Sequence, residues 1–294
     1  MSSIHPPSLH PPSLRPPSLL PPYNFDPSAV SGIALVYDSL VADYYDDDAF
    51  DIIASSRAVA LEQLRAERAL VPGLAVCDFG VGTGECLHAI DVEHLTRAMW
   101  GVDVSARMID IAREKLRKRG RLEHATFLQN CATRVGTLLP AASIDVAVSH
   151  FLLNYVDHAA LARTVAHVSR RGGLWSIVTS QRNSFPVLAT LARSFLPAAY
   201  DPDRHCGVPN SIEALEAIVQ HAGFDIVARA THTRPLCFDK FDHALHFAKH
   251  SGWFASDLVQ QVPDATTEAL RQATEHMFPL EDEARVAVVL CRRR

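Results

Sequence analysis

The stretch Ala75-Val76-Cys77-Asp78-Phe79-Gly80-Val81-Gly82-Thr83-Gly84-Glu85 decides the fold. An apolar run closing on a carboxylate reads as a buried strand. Three glycines at alternate positions then let the backbone turn and approach a ligand at the start of the next helix. This is a cradle for a nucleotide-like ligand. The dinucleotide fingerprint G-x-G-x-x-G/A fits Gly80 and Gly82 but wants Gly or Ala where Glu85 stands, and a carboxylate there would face a pyrophosphate. The other frame, acid-x-G-x-G-x-G, is met by Asp78, Gly80, Gly82 and Gly84.

Outward from this loop, short apolar runs alternate with helical stretches, which is the signature of βαβ units around a largely parallel sheet. The strand candidates are Leu74–Phe79, Met99–Val104, Ala125–Gln129, Ile144–Ser149, Leu174–Thr179, Asp225–Ala230 and Ala284–Cys291. Helices are expected over Gly84–His94, Ala106–Lys118, Ala159–Ser169 and Ile212–Ala222, the last stopped by Gly223. Residues 29–72 form a helical lead-in, and the main domain spans 73–294. Two segments, 181–210 and 236–282, interrupt the rhythm with aromatics, prolines and histidines; they are expected to form the substrate lid.

The acid-x-G-x-G-x-G frame resembles the first motif of class I S-adenosylmethionine (SAM)-dependent methyltransferases, and the resemblance continues in chain order. Met99-Trp100-Gly101-Val102-Asp103 looks like that family's second strand, whose terminal acid receives both ribose hydroxyls; Val104 and Met108 would then lie against adenine. Asn130-Cys131-Ala132 falls where many members have Gly-Asp-Ala, so Cys131 stands at the acidic position and the adenine amino contact would pass to Asn130 or to backbone. Ser143–Tyr155 resembles the fourth motif. The resemblance covers roughly residues 70–235 and the last strand. It implies a Rossmann-like seven-stranded, mostly parallel sheet of order 3-2-1-4-5-7-6, with helices on both faces and helical lid insertions. It also implies SAM as cofactor and methyl transfer to an oxygen or nitrogen of a small-molecule metabolite. A SAM-binding enzyme with cyclising or eliminating chemistry, or a binding module without catalysis, remains open on the same fold.

Methyl transfer asks the protein mainly for alignment, so no catalytic triad is expected. Oxygen and amine nucleophiles use a base, for which His150 is the candidate; the alternative is a hydrogen-bonded histidine at a strand end. Tyr37 and Tyr44, seven apart and so on one helix face, resemble the N-terminal lid of related small-molecule methyltransferases, with Tyr37 at the reacting methyl. Their rings would face a cationic methyl or simply pack the lid. His243, His246 and His250 share a helical face, but i and i+7 lie roughly 10 Å apart along the axis, too far to ligate one ion. No metal is expected. The acidic run Asp43, Asp46, Asp47, Asp48 and Asp51 lacks a calcium-loop pattern and suits a helix N-terminus and water.

Bulk properties fit a single enzyme-sized unit. The 294 residues are 48% hydrophobic with a net charge of −5, which offers a polyanion no overall basic field, so nucleic acid is not an expected partner. Six cysteines without a CxxC pair read as reduced thiols of a cytoplasmic protein. No uninterrupted apolar window reaches membrane length, and the chain starts without a secretory pattern. A monomer or homodimer is expected. Nine of the 18 prolines fall within the first 27 residues, in a repeat running His5-Pro6-Pro7-Ser8-Leu9, His10-Pro11-Pro12-Ser13-Leu14, so residues 1–28 are expected to be a disordered arm.

Overall fold

Every residue of the first strand, β1 (Ala75–Phe79), is buried, as a strand covered on both faces must be. In the computed structural model, which describes residues 29–93, 96–195, 207–253 and 264–294, it lies at the centre of a seven-stranded sheet. The expected N-terminal arm and Cys206 lie outside those residues. The other strands are β2 (Ala98–Asp103), β3 (Ala125–Gln129), β4 (Ile144–His150), β5 (Ser169–Ser180), β6 (Phe224–Phe238) and β7 (Leu280–Arg293). Their order is β3-β2-β1-β4-β5-β7-β6, with β7 antiparallel to both neighbours and the other pairs parallel. This is the order expected from the resemblance.

Alternate strand residues enter opposite cores. Cys77, Phe79, Ala147 and Val289 join α5 (His158–Val168) and α7 (Ile212–His221) on one face. Val76, Val146, Val148 and Leu290 join α2 (Ile52–Ala66), α3 (Glu85–Glu93) and α4 (Ala106–Lys118) on the other. The lead-in therefore divides. Residues of α2 such as Leu61 and Leu64 belong to the core layer, while α1 (Ala29–Val36), a π-helical turn at Tyr37–Val41 and a 3-10 turn at Tyr45–Asp47 cross the loop end of the sheet.

Several boundaries differ from the sequence expectation. The third helix ends at Val168 because Ser169 already pairs with Ile144 in the sheet. Strand β6 runs eight residues past the expected end, and β6 and β7 continue as a ribbon to Phe238 and Leu280. Their burial alternates there, so no continuous apolar run marks the extension. The insertions contain α6 (Pro186–Phe195), α8 (Phe241–His250) and α9 (Asp264–Thr274). A third core joins α2, α8 and the ribbon through Ile52, Ala60, Phe238, Phe247 and Leu280. Among the described residues, no helix is long and apolar enough to cross a membrane.

Candidate active site

The glycine loop leaves β1 with Gly80, Gly82 and Gly84 all at positive φ, where a side chain is strained. The N–H groups of Gly80 and Val81 both donate to the Val102 carbonyl, tying the loop to β2. At the end of β2, the Asp103 carboxylate accepts from Gly82 N on one oxygen and Ser105 N on the other, each at 2.9 Å. Burial raises its pKa, and those N–H groups oppose the shift.

Gly80, Gly82, Asp103, Val104, Met108, Asn130, Cys131, Ala132, His150 and Tyr37 line one pocket of about 660 Å³. The structure thus brings together most of the residues chosen from sequence. Gly84 is outside this lining: a Cβ there would come within 2.9 Å of the Ala112 Cβ, so this glycine serves the close approach of α4. Tyr44 is outside it too. The π-helical turn breaks the spacing that would align positions 37 and 44, so Tyr45 enters the pocket while Tyr44 packs on His246 and His250. Cys131 N donates to Asn130 Oδ1 at 2.8 Å, which commits that amide oxygen locally.

The acidic segment is not simply solvated. The Asp48 carboxylate accepts from the N–H groups of Ile52, Ile53 and Ala54, so it caps α2 as expected. Asp38 accepts from Ser105 Oγ and Arg107 N, Asp43 pairs with Arg107, and Asp46 binds Lys115 and Thr83. These contacts fasten the crossing segment onto α4 above the pocket.

Tyr37 donates to the Tyr155 hydroxyl, which donates to the Gly252 carbonyl at 2.6 Å. Burial pushes the pKa of Tyr37 and Tyr45 well up, so both remain neutral phenols. His150 bonds Ser176 Oγ at 3.0 Å through Nε2; burial and then the Arg57 charge lower its pKa to about 3. An imidazole so reluctant to protonate is a weak base, and the strand-end hydrogen-bonding role describes it better. Because the unfolded chain takes this proton near pH 6.5 and the folded chain does not, stability is lost as pH falls from 6.5 toward 3. Between pH 7 and 5 the unfolding free energy should drop about 2 kcal/mol more in the wild type than in His150→Gln. Equal drops in urea titrations would show that the folded imidazole charges freely.

A second cavity opens beside the first and shares Tyr45, Gly80, Gly82, His150 and Phe151 with it. Its charged lining residues are Arg57, Asp78 and Glu85, the last of them paired with Lys115. Asp78 Oδ1 is buried without a hydrogen-bond partner, and burial, then the Asp103 charge, pushes the carboxyl pKa well up, opposed by Arg57. Arg57 on α2 is half-buried and has no hydrogen-bond or ion-pair partner among the described residues. Sequence reasoning missed Arg57, Tyr45, Phe151 and Tyr155. Phe151 and Tyr155 had a signal, their place in the fourth-motif segment; Arg57 sits in an unremarkable helix.

Residues 76–173 match the family profile of a methyltransferase domain. No curated protein matches the sequence. Among solved structures, the YcgJ protein from Bacillus subtilis aligns at 17% identity over 81% of this chain and 99% of its own, with a TM-score of 0.55. The [4+2]-cyclase SpnF aligns at 17% identity over 81% of each chain, TM-score 0.53. A geranyl diphosphate C-methyltransferase from Streptomyces coelicolor A3(2) aligns at 13% identity over 90% of this chain and 98% of its own, TM-score 0.52. Residues 76–173 thus carry a likeness to a methyltransferase domain, and the strand order of the whole sheet is that of the class I methyltransferase fold.

Proposed function

We propose that the chain binds SAM beneath Tyr37 and Tyr45 and transfers its methyl group to an oxygen or nitrogen of a small molecule. The observation that carries this reading is Asp78 Oδ1 and the Arg57 guanidinium, both without hydrogen-bond partners among the described residues, beside the Gly80–Gly82 turn. A buried carboxylate oxygen and a half-buried guanidinium left without partners fit a ligand that brings both charges. The methionine end of SAM is such a zwitterion, its ammonium suited to Asp78 and its carboxylate to Arg57. A carboxylate offers about four lone-pair sites. Asp103 gives one on each oxygen to a backbone N–H, which leaves acceptors for a ribose diol. Val104, Met108 and Ala132 supply apolar walls for adenine.

When bound, SAM supplies a methyl group on a sulfonium, a carbon already activated for displacement. The protein aligns the nucleophile and keeps water out. Tyr37 and Tyr45 present neutral rings and oxygens to a cationic centre, which favours holding it. His150, bonded to Ser176, contributes a neutral polar edge, and the acceptor's proton leaves to solvent.

Calorimetric titration of the purified chain with SAM and S-adenosylhomocysteine tests the reading. Arg57→Leu should weaken both ligands about tenfold, the size of one lost charge-assisted hydrogen bond. Unchanged affinity would place the carboxylate elsewhere, and no binding by the folded wild type would defeat the reading. Conversion of SAM to S-adenosylhomocysteine with a methylated product separates methyl transfer from cyclisation, which would return SAM unchanged.

A further inference from the structure

We infer that the groove between the Tyr44–Phe50 segment and α8 is the acceptor site, and that it takes a flat aromatic molecule bearing several hydroxyl groups; as an acceptor assignment this rests on the cofactor reading above. The groove encloses about 500 Å³ and is walled by Phe50, Phe247, Trp253, His243, His246 and His250. It is joined to the cofactor pocket. A passage of about 230 Å³ shares Ile53, Ser251 and Trp253 with the groove and Tyr37, Phe151 and Tyr155 with the pocket, and Tyr45 borders all three.

The walls select for a plane. The Phe50 ring lies nearly parallel to the His243 ring, with centroids 5.4 Å apart and planes at 19°, while Phe238 and Phe247 brace Phe50 edge-on. His246 and His250 stand 4.6 Å apart beside Tyr44. Rings held in place by other rings present a fixed aromatic surface against which a further ring can lie.

The fixed polar atoms select for hydroxyl donors. A carbonyl only accepts, so the 2.8 Å bond between His250 Nδ1 and the Leu40 carbonyl puts the proton on Nδ1. In that tautomer Nε2 is an acceptor, without a partner among the described residues. Asn154 Oδ1, on the passage wall, is a buried acceptor with no partner. Asp48 is already occupied by three backbone N–H groups, and Asp47 adds only more acceptor capacity. A ligand that satisfies these atoms must bring hydrogen-bond donors of its own, which the hydroxyl groups of a polyhydroxylated ring supply. Among the described residues lining groove and passage there is no lysine or arginine. A diphosphate-bearing acceptor, of the kind named for the Streptomyces enzyme, would find no fixed countercharge there.

The test titrates the full chain with quercetin, with quercetin pentamethyl ether and with geranyl diphosphate, and measures S-adenosylhomocysteine affinity separately for every variant. Quercetin should bind at least tenfold tighter than its ether, which keeps the plane and lacks the donors, and tighter than geranyl diphosphate. His250→Phe and Asn154→Leu should each weaken quercetin at least fivefold and leave S-adenosylhomocysteine affinity within twofold. Equal binding of quercetin and its ether, preference for geranyl diphosphate, absence of quercetin binding, or indifference to both substitutions would overturn the inference. Because the quercetin-to-ether comparison uses the unaltered chain, it decides even if a variant fails to fold. Selective quercetin binding by a chain that ignores S-adenosylhomocysteine would sink the cofactor reading and support the groove's ligand class.

Discussion

Asp103→Ala should lower S-adenosylhomocysteine affinity by about 100-fold or more, because two hydrogen bonds to a charged acceptor are lost at about 1.5–3 kcal/mol each. The substitution also acts on the loop. Asp103 holds Gly82 N and Ser105 N, and Ser105 Oγ is in turn bonded to Asp38 of the crossing segment. Without the carboxylate, the glycine turn and the lid both lose an anchor. Asp103→Asn separates the two effects, since its amide oxygen still accepts one N–H while the charge is gone. A loss in Asp103→Asn close to that in Asp103→Ala would assign the effect to charge at the ribose position. Retention of wild-type affinity by Asp103→Ala, measured calorimetrically, would remove Asp103 from the cofactor site.

Gly84→Ala should destabilise the chain far more than Gly73→Ala does. Gly84 and Gly73 have nearly the same backbone, φ +83° and +84°, so alanine is strained to a similar degree at each, on the order of 1 kcal/mol. Their surroundings differ. A Cβ on Gly73 meets nothing within 4 Å, whereas one on Gly84 meets the Ala112 Cβ at 2.9 Å and its Cα at 3.3 Å. Those atoms belong to a helix packed through Ile109 and Leu116 into the core, so relief requires moving α4. Overpacking adds about 1–3 kcal/mol, giving a total near 3 kcal/mol for Gly84→Ala against about 1 for Gly73→Ala. Urea unfolding of the two variants measures the difference directly. Equal destabilisation would mean that α4 yields without cost.

Part of this architecture was readable because it follows from local rules. The α4 boundaries were legible from Ser105, whose hydroxyl accepts Met108 N as an N-cap, and from the amphipathic run to Lys118. Asp103 was legible because Met99–Asp103 resembles the second strand of class I methyltransferases, whose terminal acid receives the ribose. The missed parts depend on tertiary placement. Tyr45 replaces Tyr44 because a π-helical turn shifts the phase of the segment, which no 3.6-residue periodicity anticipates. Arg57 counts because α2, packed on β5, β6 and β7, brings it into the cavity that Asp78 lines, and its own neighbours in sequence say nothing of that. Gly84 satisfied the motif for a reason other than ligand approach. His150 was placed correctly at the pocket wall, yet only its burial and the nearby Arg57 show how strongly it resists protonation.

The ribbon of β6 and β7 gives α8 an unusual mounting. Beyond the pairing of Ser180 with Val286, strand β7 pairs as a strand only with β6, and the hairpin carries the helix past the sheet edge. Two-stranded ribbons twist more than wide sheets. A side chain exchanged along residues 233–238 or 280–285 can therefore rotate the histidine-bearing helix about the ribbon axis while the cofactor residues, held by β1 and β2, stay still. Small changes in coiling far from any ligand would then act as a steering gear, re-aiming an acceptor at a fixed methyl donor without altering a single residue that touches either.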